Sequence, residues 1–247
     1  MKKTKYVIII LSTFVLISSV YITDKALHWR QGNQLFYKYS SGHDNHMLEK
    51  PPLNIVFIGD SIIHSYPLKS LYNSKYNMIN MGQGGDSISE IHDRYFEKLA
   101  PKKFDIVIIE GGINDILGAF HRDDNLEDTK SKIIHYYDAI LTHSLSNNNK
   151  TFILSILPVT KRFLFPTLKL ATLPTSYDAK KINKFIKIVN LKLEELCKNK
   201  GADFIDAHEK LLDEDKLFSR SYATPDGYHV NIFGYKALTD IISQHLY

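Results

Sequence analysis

Short apolar runs alternate with segments of helical periodicity from residue 53 to residue 247. The apolar runs have the length of strands and are rich in β-branched residues, and several stop at Gly or Pro, as buried strands commonly do. This pattern predicts five strands, at residues 53–58, 76–81, 104–110, 151–157 and 202–205.

Apolar residues spaced three or four positions apart predict helices between and after these strands. The helices are expected at residues 87–99, 126–145, 177–199 and 232–246. Strands that alternate with helices indicate βαβ units, in which right-handed crossovers cover both faces of a parallel sheet. Ligands of such open sheets bind at the carboxyl ends of the strands, so the chemistry is expected there.

The first 22 residues have a different pattern. Three lysines among the first five residues precede an apolar run, Tyr6–Ile22, which is broken only by Ser and Thr. A basic tip before an apolar run is typical of a signal peptide or an uncleaved membrane anchor, although a buried core helix would also fit. The run is short for a membrane-spanning helix, and no clear small-residue cleavage site follows it. Either targeting interpretation predicts an extracytoplasmic protein, with possible membrane anchoring through residues 6–22.

Residues 23–52 are polar and end in Pro51-Pro52, so they are interpreted as a tether to a folded domain at 53–247. The sequence contains no internal repeats and no low-complexity tract. It gives no indication of the oligomeric state.

The composition is that of a globular protein, with 44% hydrophobic and 23% charged residues, which argues against disorder. The single cysteine, Cys197, excludes an internal disulfide and a cysteine-based zinc site. The formal net charge is +4, but the N-terminal lysines account for most of the excess. The rest of the chain is nearly neutral, so no nucleic-acid partner is predicted.

Four segments with the same few residue types fall at strand ends or near the C-terminus. They are Gly59-Asp60-Ser61, the run from Asn80 to Ser87, Gly111-Gly112-Ile113-Asn114-Asp115, and Asp226-Gly227-Tyr228-His229. A serine nucleophile needs a base, an acid that orients the base, and donors for the developing oxyanion. The four segments could supply all of these at one rim of the sheet.

Gly-Asp-Ser occurs twice, so the nucleophile has to be chosen. Ser87 is followed by Glu90 at the spacing of a capping box, which is a sufficient structural role for that serine. Ser61 has no such partner. It could be a simple turn or N-cap serine, but the other segments favour it as the nucleophile.

The base is chosen among several histidines in the same way. Asp226 and His229 are three residues apart across a glycine turn, so the carboxylate can orient the ring. Asp206 and His208 precede Glu209 in a helix-start pattern and are interpreted as structural. His64 lies near Ser61 but has no orienting acid near it in sequence, so it is the weaker alternative.

Candidate oxyanion donors are the Asn114 amide and the backbone N–H groups of Gly85 and Ser61. Asn114 could instead be a turn asparagine, and Gly82 is a less favoured substitute for Gly85. Glycines after strands can also cradle phosphate. However, the dinucleotide-binding and P-loop patterns are absent, as is the Gly-x-Ser-x-Gly elbow.

These segments resemble the blocks of the GDSL or SGNH hydrolase family. Gly59-Asp60-Ser61-Ile62 is similar to the first block, with Ile where Leu is usual. Asn80 to Asp86 is similar to the second block of the platelet-activating-factor acetylhydrolase-like branch. Gly112 to Asp115 resembles the third block, and Asp226 to His229, with the following residues to Tyr235, resembles the fifth. Together the blocks span residues 57–235.

The resemblance implies a flavodoxin-like, three-layer α/β/α sandwich with a five-stranded parallel sheet. It implies hydrolysis of an acyl ester without a cofactor or metal. By the same resemblance, Ser61 is the nucleophile, His229 the base, Asp226 its partner, and Gly85 and Asn114 the oxyanion donors.

The substrate is less well indicated. O-acetylated carbohydrate, a lysolipid or a small acyl ester would each suit an extracytoplasmic esterase. The apolar and basic insertion at residues 158–174 could be loop packing, a wall of the acyl pocket or a membrane-touching lid. Two other functions stay open, namely acyl transfer to a sugar hydroxyl and a non-catalytic, membrane-tethered binding module of the same fold.

Overall fold

The computed structural model describes residues 52–72, 76–161 and 178–246. The predicted targeting segment at 1–22, nearly all of the tether and most of the 158–174 insertion lie outside these residues. Over the described ranges, no helix combines the length and apolar character that crossing a membrane requires.

One parallel sheet of five strands organises the described chain, with the order β2-β1-β3-β4-β5. The strands are β1 Leu53–Gly59, β2 Tyr76–Gly82, β3 Ile106–Ile109, β4 Lys150–Leu154 and β5 Asp203–Ile205. All five predicted strands are therefore confirmed. β4 ends before residue 157 because the Ile156 N–H donates to the Asn190 side chain rather than to a neighbouring strand.

Seven α-helices are described. They are α1 Ser61–His64, α2 Leu68–Leu71, α3 Ile88–Arg94, α4 Ile113–Arg122, α5 Leu126–Ser146, α6 Ala179–Lys200 and α7 Ile232–Ser243. A π-helical turn at Tyr95–Leu99 continues α3, and Glu209–Leu211 forms a short 3₁₀-helix. The four predicted helices correspond to α3, α5, α6 and α7, whereas α1, α2 and α4 were not anticipated.

The strands alternate their side chains between two helical layers. Val56, Val107 and Ile153 pack in one buried cluster with residues of α3, α4, α5 and α6. Phe57 and Phe152 pack in a second cluster with residues of α1, α2 and α7. Each fully buried aliphatic or aromatic side chain contributes about 1.5–3 kcal/mol. Because helices pack against both faces of the sheet, the predicted three-layer α/β/α sandwich is confirmed.

The strand order reverses at β1, whose neighbours β2 and β3 are reached by crossovers in opposite directions. In open α/β sheets such a reversal leaves a crevice outside the carboxyl ends of the strands. Ser61 lies two residues after the end of β1, and Asn114 lies in the first turn of the helix that follows β3. Two of the predicted site residues thus lie beside this crevice.

Candidate active site

Ser61 is the first residue of α1, and the preceding residue caps that helix. Asp60 Oδ1 accepts a hydrogen bond from the Ile62 N–H at 2.9 Å. Because Asp60 takes the capping role, the Ser61 hydroxyl is not needed at the helix end. Its Oγ lies 2.9 Å from His229 Nε2, although the two residues are 168 positions apart in sequence.

The His229 ring is oriented by Asp226 across a turn in which Gly227 has a φ of +92°. Asp226 Oδ2 lies 2.8 Å from His229 Nδ1. The other oxygen, Oδ1, accepts from the Tyr228 and His229 N–H groups, both at 3.1 Å, and from the Thr224 hydroxyl at 2.8 Å. The carboxylate is therefore held in one orientation from both sides.

These contacts also decide the protonation of Asp226. Burial by itself raises the pKa of this carboxyl. The hydrogen bond and positive charge of His229, together with the backbone N–H groups of His229 and Tyr228, outweigh burial and lower the pKa to about 2. An ionised Asp226 favours the tautomer with the proton on Nδ1, which leaves the Nε2 lone pair facing Ser61.

The loop between β2 and α3 lies beside Ser61. A Cβ added at Gly84 would be 3.9 Å from the Ser61 Cβ. Gly85 has a left-handed φ of +87°, and a Cβ there would meet nothing within 4 Å. Asn114 Nδ2 donates to the Asp86 carbonyl at 2.9 Å, so this amide borders the same loop.

Two backbone donors in this region have no acceptor within the described ranges. The N–H groups of Ser61 and Gly85 make no hydrogen bond to any residue the structure describes. Unpaired N–H groups beside a nucleophile, together with the Asn114 amide, are the donors that an oxyanion requires.

Arg94 on α3 ties this loop to the sheet. Its guanidinium donates to the carbonyls of Gly59 at 2.7 Å and Met81 at 3.1 Å, and it pairs with the buried carboxylate of Asp86. Sequence reasoning missed Arg94. It falls in a predicted helix, and no local pattern shows which way its side chain points.

The residues set aside as structural have structural contacts. Ser87 and Glu90 form the predicted capping box, with the Ser87 N–H 2.7 Å from Glu90 Oε2. His208 is buried, and its Nδ1 lies 3.2 Å from the Ile156 carbonyl. Asp206 Oδ1 accepts from the Glu209 N–H at 3.3 Å, as the helix-start pattern predicted.

Gly82 and His64 meet where α1 packs against β2. A Cβ at Gly82 would lie 2.1 Å from the His64 backbone nitrogen, so glycine is required there for close packing. His64 Nδ1 lies 3.2 Å from the Gly82 carbonyl. Gly82 therefore has a packing role, and the exposed His64 ring contacts the Gly82 carbonyl.

Asp115, next to Asn114, also has a structural role. Its buried carboxylate accepts from the Ile88 N–H at 2.7 Å and pairs with Lys132 Nζ at 3.2 Å. It therefore fastens the start of α3 to α4. Within the described parts of the chain, no group of three or more His, Cys, Asp or Glu residues could hold a metal ion.

The site geometry agrees with a comparison to protein families. The model of the GDSL-like Lipase/Acylhydrolase family matches residues 57–237. This range is well over half of the chain, so the chain belongs to that family and is an ester-hydrolysing enzyme. No match to a curated protein was found.

Solved structures of low sequence identity share the fold. A protein from Streptococcus pneumonia, provisionally assigned as a platelet activating factor, is 24% identical with a TM-score of 0.63, covering 93% of this chain and 99% of that one. A GDSL-like lipase from Bacteroides thetaiotaomicron is 18% identical with a TM-score of 0.63, covering 85% and 96%. The acetyl xylan esterase AlAXEase is 18% identical with a TM-score of 0.61, covering 79% and 100%.

Proposed function

We propose that this enzyme is a serine esterase that forms an acyl-enzyme at Ser61. The observation that carries the proposal is the chain of contacts from Asp226 through His229 to Ser61, at 2.8 Å and 2.9 Å. An acid, an imidazole and a hydroxyl in this order are the parts that nucleophilic catalysis by serine requires.

In the first step, His229 Nε2 takes the Ser61 proton as Oγ bonds to the ester carbonyl carbon. The carbonyl oxygen becomes an oxyanion that accepts from the Ser61 and Gly85 N–H groups and from the Asn114 amide. Asp226 stabilises the positive charge on the ring. The tetrahedral intermediate then breaks its bond to the alcohol, which leaves with the proton from His229.

In the second step, water attacks the acyl group on Ser61. His229 removes a proton from that water, the same donors hold the second oxyanion, and the bond to Ser61 Oγ breaks. The carboxylic acid is released, and the proton returns to Ser61. These steps use water and the residues of this chain alone.

The proposed substrates are O-acetylated carbohydrates, lysolipids and small acyl esters. Acetylated carbohydrate is the first to test, because structures similar to this one include acetylxylan esterases. The 158–174 insertion stays a predicted determinant of acyl-chain length. Exchanging it for a short polar loop should change the chain-length profile, and an unchanged profile would remove it from the acyl pocket.

The first experiment is labelling with a fluorophosphonate, which reacts with an activated serine. We expect the full chain to be labelled at Ser61 and the Ser61→Ala variant to be unlabelled. A folded wild-type protein that resists labelling would refute the nucleophile. A screen of acetyl and longer esters follows, with sugar acceptors added. Acid release supports hydrolysis, whereas acceptor-dependent loss of the ester would indicate acyl transfer.

We further propose that the protein acts outside the cytoplasm, on the basis of the basic and apolar pattern of residues 1–22. Fractionation of cells expressing the full chain tests this. Recovery in the membrane or the extracytoplasmic fraction is expected, and recovery in the cytoplasm would contradict it.

A further inference from the structure

Two carboxyl groups that the steps above do not use are buried at the ends of the strands near Ser61. Asp60 and Glu110 follow the adjacent strands β1 and β3, and both are 0% exposed. The Glu110 N–H donates to the Ile58 carbonyl at 3.0 Å, which sets the two strand ends side by side. Each carboxyl alters the pKa of the other through its charge or a hydrogen bond, so the two side chains interact at these strand ends.

Their remaining oxygens have few possible donors. No amide, hydroxyl or cationic donor among the described residues reaches Asp60 Oδ2 or either Glu110 oxygen. A proton carried by one of the two carboxyls can supply the hydrogen bond between them. Two adjacent carboxylates that are both fully buried are not expected to be ionised together, so one proton is expected to stay with the pair.

The surroundings decide which carboxyl keeps the proton. Asp60 Oδ1 accepts from the Ile62 N–H at 2.9 Å, and the positive charge of His229 also favours its ionised form. Burial raises the pKa of Asp60 to about 6. Burial and the Asp60 charge raise the pKa of Glu110 well above its usual value. Glu110 therefore holds the proton more tightly than Asp60.

The other titratable groups around the pair come from four helices. Arg94 of α3 donates to the Gly59 carbonyl, and Asp115 of α4 adds a nearby negative charge. The Tyr137 hydroxyl of α5 donates to the Gly111 carbonyl at 3.0 Å, and that of Tyr235 of α7 to the Ile62 carbonyl at 2.8 Å. Both tyrosine protons are thus committed to backbone oxygens.

We propose that Glu110 donates a hydrogen bond to an ionised Asp60, and that the single negative charge of this pair stabilises the protonated His229 formed during acyl transfer. The proposal rests on the serine mechanism proposed above. Asp60 and Glu110 act through His229 and are positioning residues. The Glu110 proton remains on Glu110 throughout, so no bond in the pair breaks.

Two substitutions separate charge from shape. Glu110→Gln keeps a neutral donor toward Asp60, whereas Asp60→Asn removes the negative charge but keeps an oxygen that can cap α1. We expect Glu110→Gln to keep kcat within about threefold. We expect Asp60→Asn to lower kcat about tenfold, the equivalent of one pKa unit, with little change in KM.

The pH–rate profile is the readout that a merely structural role would not change. Without the Asp60 charge, His229 loses its proton more readily, so the acid limb of the profile should move to lower pH in Asp60→Asn. It should stay in place in Glu110→Gln. Equal shifts in the two variants would overturn the proposal, as would no shift in Asp60→Asn.

Infrared spectroscopy in D₂O tests the pair without catalysis. Near neutral pH, the wild type should show a protonated-carboxyl band that disappears in Glu110→Gln and persists in Ser61→Ala. Absence of the band from the wild type would overturn the proposal even if Ser61 were labelled by fluorophosphonate. Conversely, failed labelling with the band present would remove the serine mechanism and leave the shared proton standing.

A second pair of variants covers the case in which Asp60→Asn does not fold. Glu110→Leu removes the donor at similar volume, so Asp60 should take up the proton and activity should fall about tenfold. The conservative Glu110→Gln should restore it. Equal activity of the Leu and Gln variants, at equal melting temperature, would contradict the proposal.

Discussion

The chain contains the tripeptide Gly-Asp-Ser twice, at 59–61 and 85–87, and the structure uses the two copies differently. In the first copy Asp60 caps α1 and Ser61 is the first residue inside the helix. In the second copy Ser87 is itself the cap of α3, and its Oγ lies 2.6 Å from Glu90 Oε2. The cap is the aspartate in the first copy and the serine in the second. The Ser61 hydroxyl therefore contacts His229, whereas the Ser87 hydroxyl bonds within its own helix. The tripeptide alone therefore does not identify a nucleophile.

The two aspartates of these tripeptides differ as well. Asp60 is buried against another acid, Glu110, whereas Asp86 is buried against the guanidinium of Arg94. Arg94 also donates to the Gly59 carbonyl, so one side chain joins both copies. The aspartate of the first copy thus shares a proton with a neighbouring carboxyl, whereas the aspartate of the second copy forms a salt bridge that fixes the Gly85 loop.

The largest expected effect compares the two serines directly. Ser61→Ala should lower kcat by on the order of 10⁵–10⁶, because the acyl acceptor is lost. Ser87→Ala should cost about 1 kcal/mol of stability through the lost cap and leave kcat nearly unchanged. Ester hydrolysis and urea unfolding of both variants are the measurements. Comparable kcat losses in the two would show that helix capping does not distinguish them.

The next prediction tests whether the Ser61 hydroxyl is sufficient for catalysis when Asp226 no longer orients His229. Asp226→Asn should lower kcat by about 10³–10⁴, because the amide no longer holds the proton on Nδ1 of His229. Asp206→Asn is the matched control, since Asp206 contacts a helix start and is not part of the triad. Steady-state kinetics near neutral pH would decide it, and a nearly active Asp226→Asn would mean that another group orients the ring.

The donor side of the site should give a smaller loss. Asn114→Ala removes one proposed oxyanion donor and should reduce kcat by about 10²–10³ with a modest change in KM. Asn125→Ala is a suitable control, because Asn125 caps α5 through the Glu127 N–H at 2.9 Å. Full turnover of Asn114→Ala on a small ester would exclude its amide from the oxyanion site.

Breaking the link between the two tripeptides should have a moderate effect on stability. Arg94→Lys cannot reproduce three directed donors, and losing a charge-assisted hydrogen bond costs about 1.5–3 kcal/mol. The control is Arg122→Lys at an exposed ion pair with Asp124, where about 0–1 kcal/mol is expected. Urea unfolding measures both. Equal stability of the two variants would mean that Arg94 does not hold the loop.

An effect on stability of similar size concerns pH and the Asp60 carboxyl. Its pKa is raised from 3.8 to about 6, so its contribution to stability is complete below about 3.8 and is lost as pH rises through about 6. Asp60→Asn lacks this loss. The melting temperature of the variant relative to wild type should therefore rise by a few degrees between about pH 4 and neutral pH. A difference that stays constant with pH would show that folding does not raise the pKa of this carboxyl.

Sequence patterns predicted the elements that rest on local periodicity or capping. The apolar runs located all five strands, and the spacing of apolar residues located α3, α5, α6 and α7. The Ser87–Glu90 capping box left Ser61 as the candidate nucleophile. The structure places its hydroxyl against His229, the base that the Asp226-x-x-His229 spacing had favoured.

The features that were missed depend on tertiary contacts. α1 and α2 have four residues each and are too short to form without packing against the sheet. α4 begins directly after a left-handed glycine, Gly112, in a stretch for which no helix was predicted. The Asp60–Glu110 pair exists because β1 and β3 are neighbours, a relation that follows from the strand order and not from either segment alone.

The separation of Ser61 and His229 along the polypeptide has a consequence for biosynthesis. A nascent chain presents its nucleophile early, but the imidazole that activates it follows only after all five strands have been made. Incomplete polypeptides should therefore be inert toward esters. Hydrolysis should begin only when α7 has docked beside α1. The appearance of esterase activity therefore reports that folding is complete.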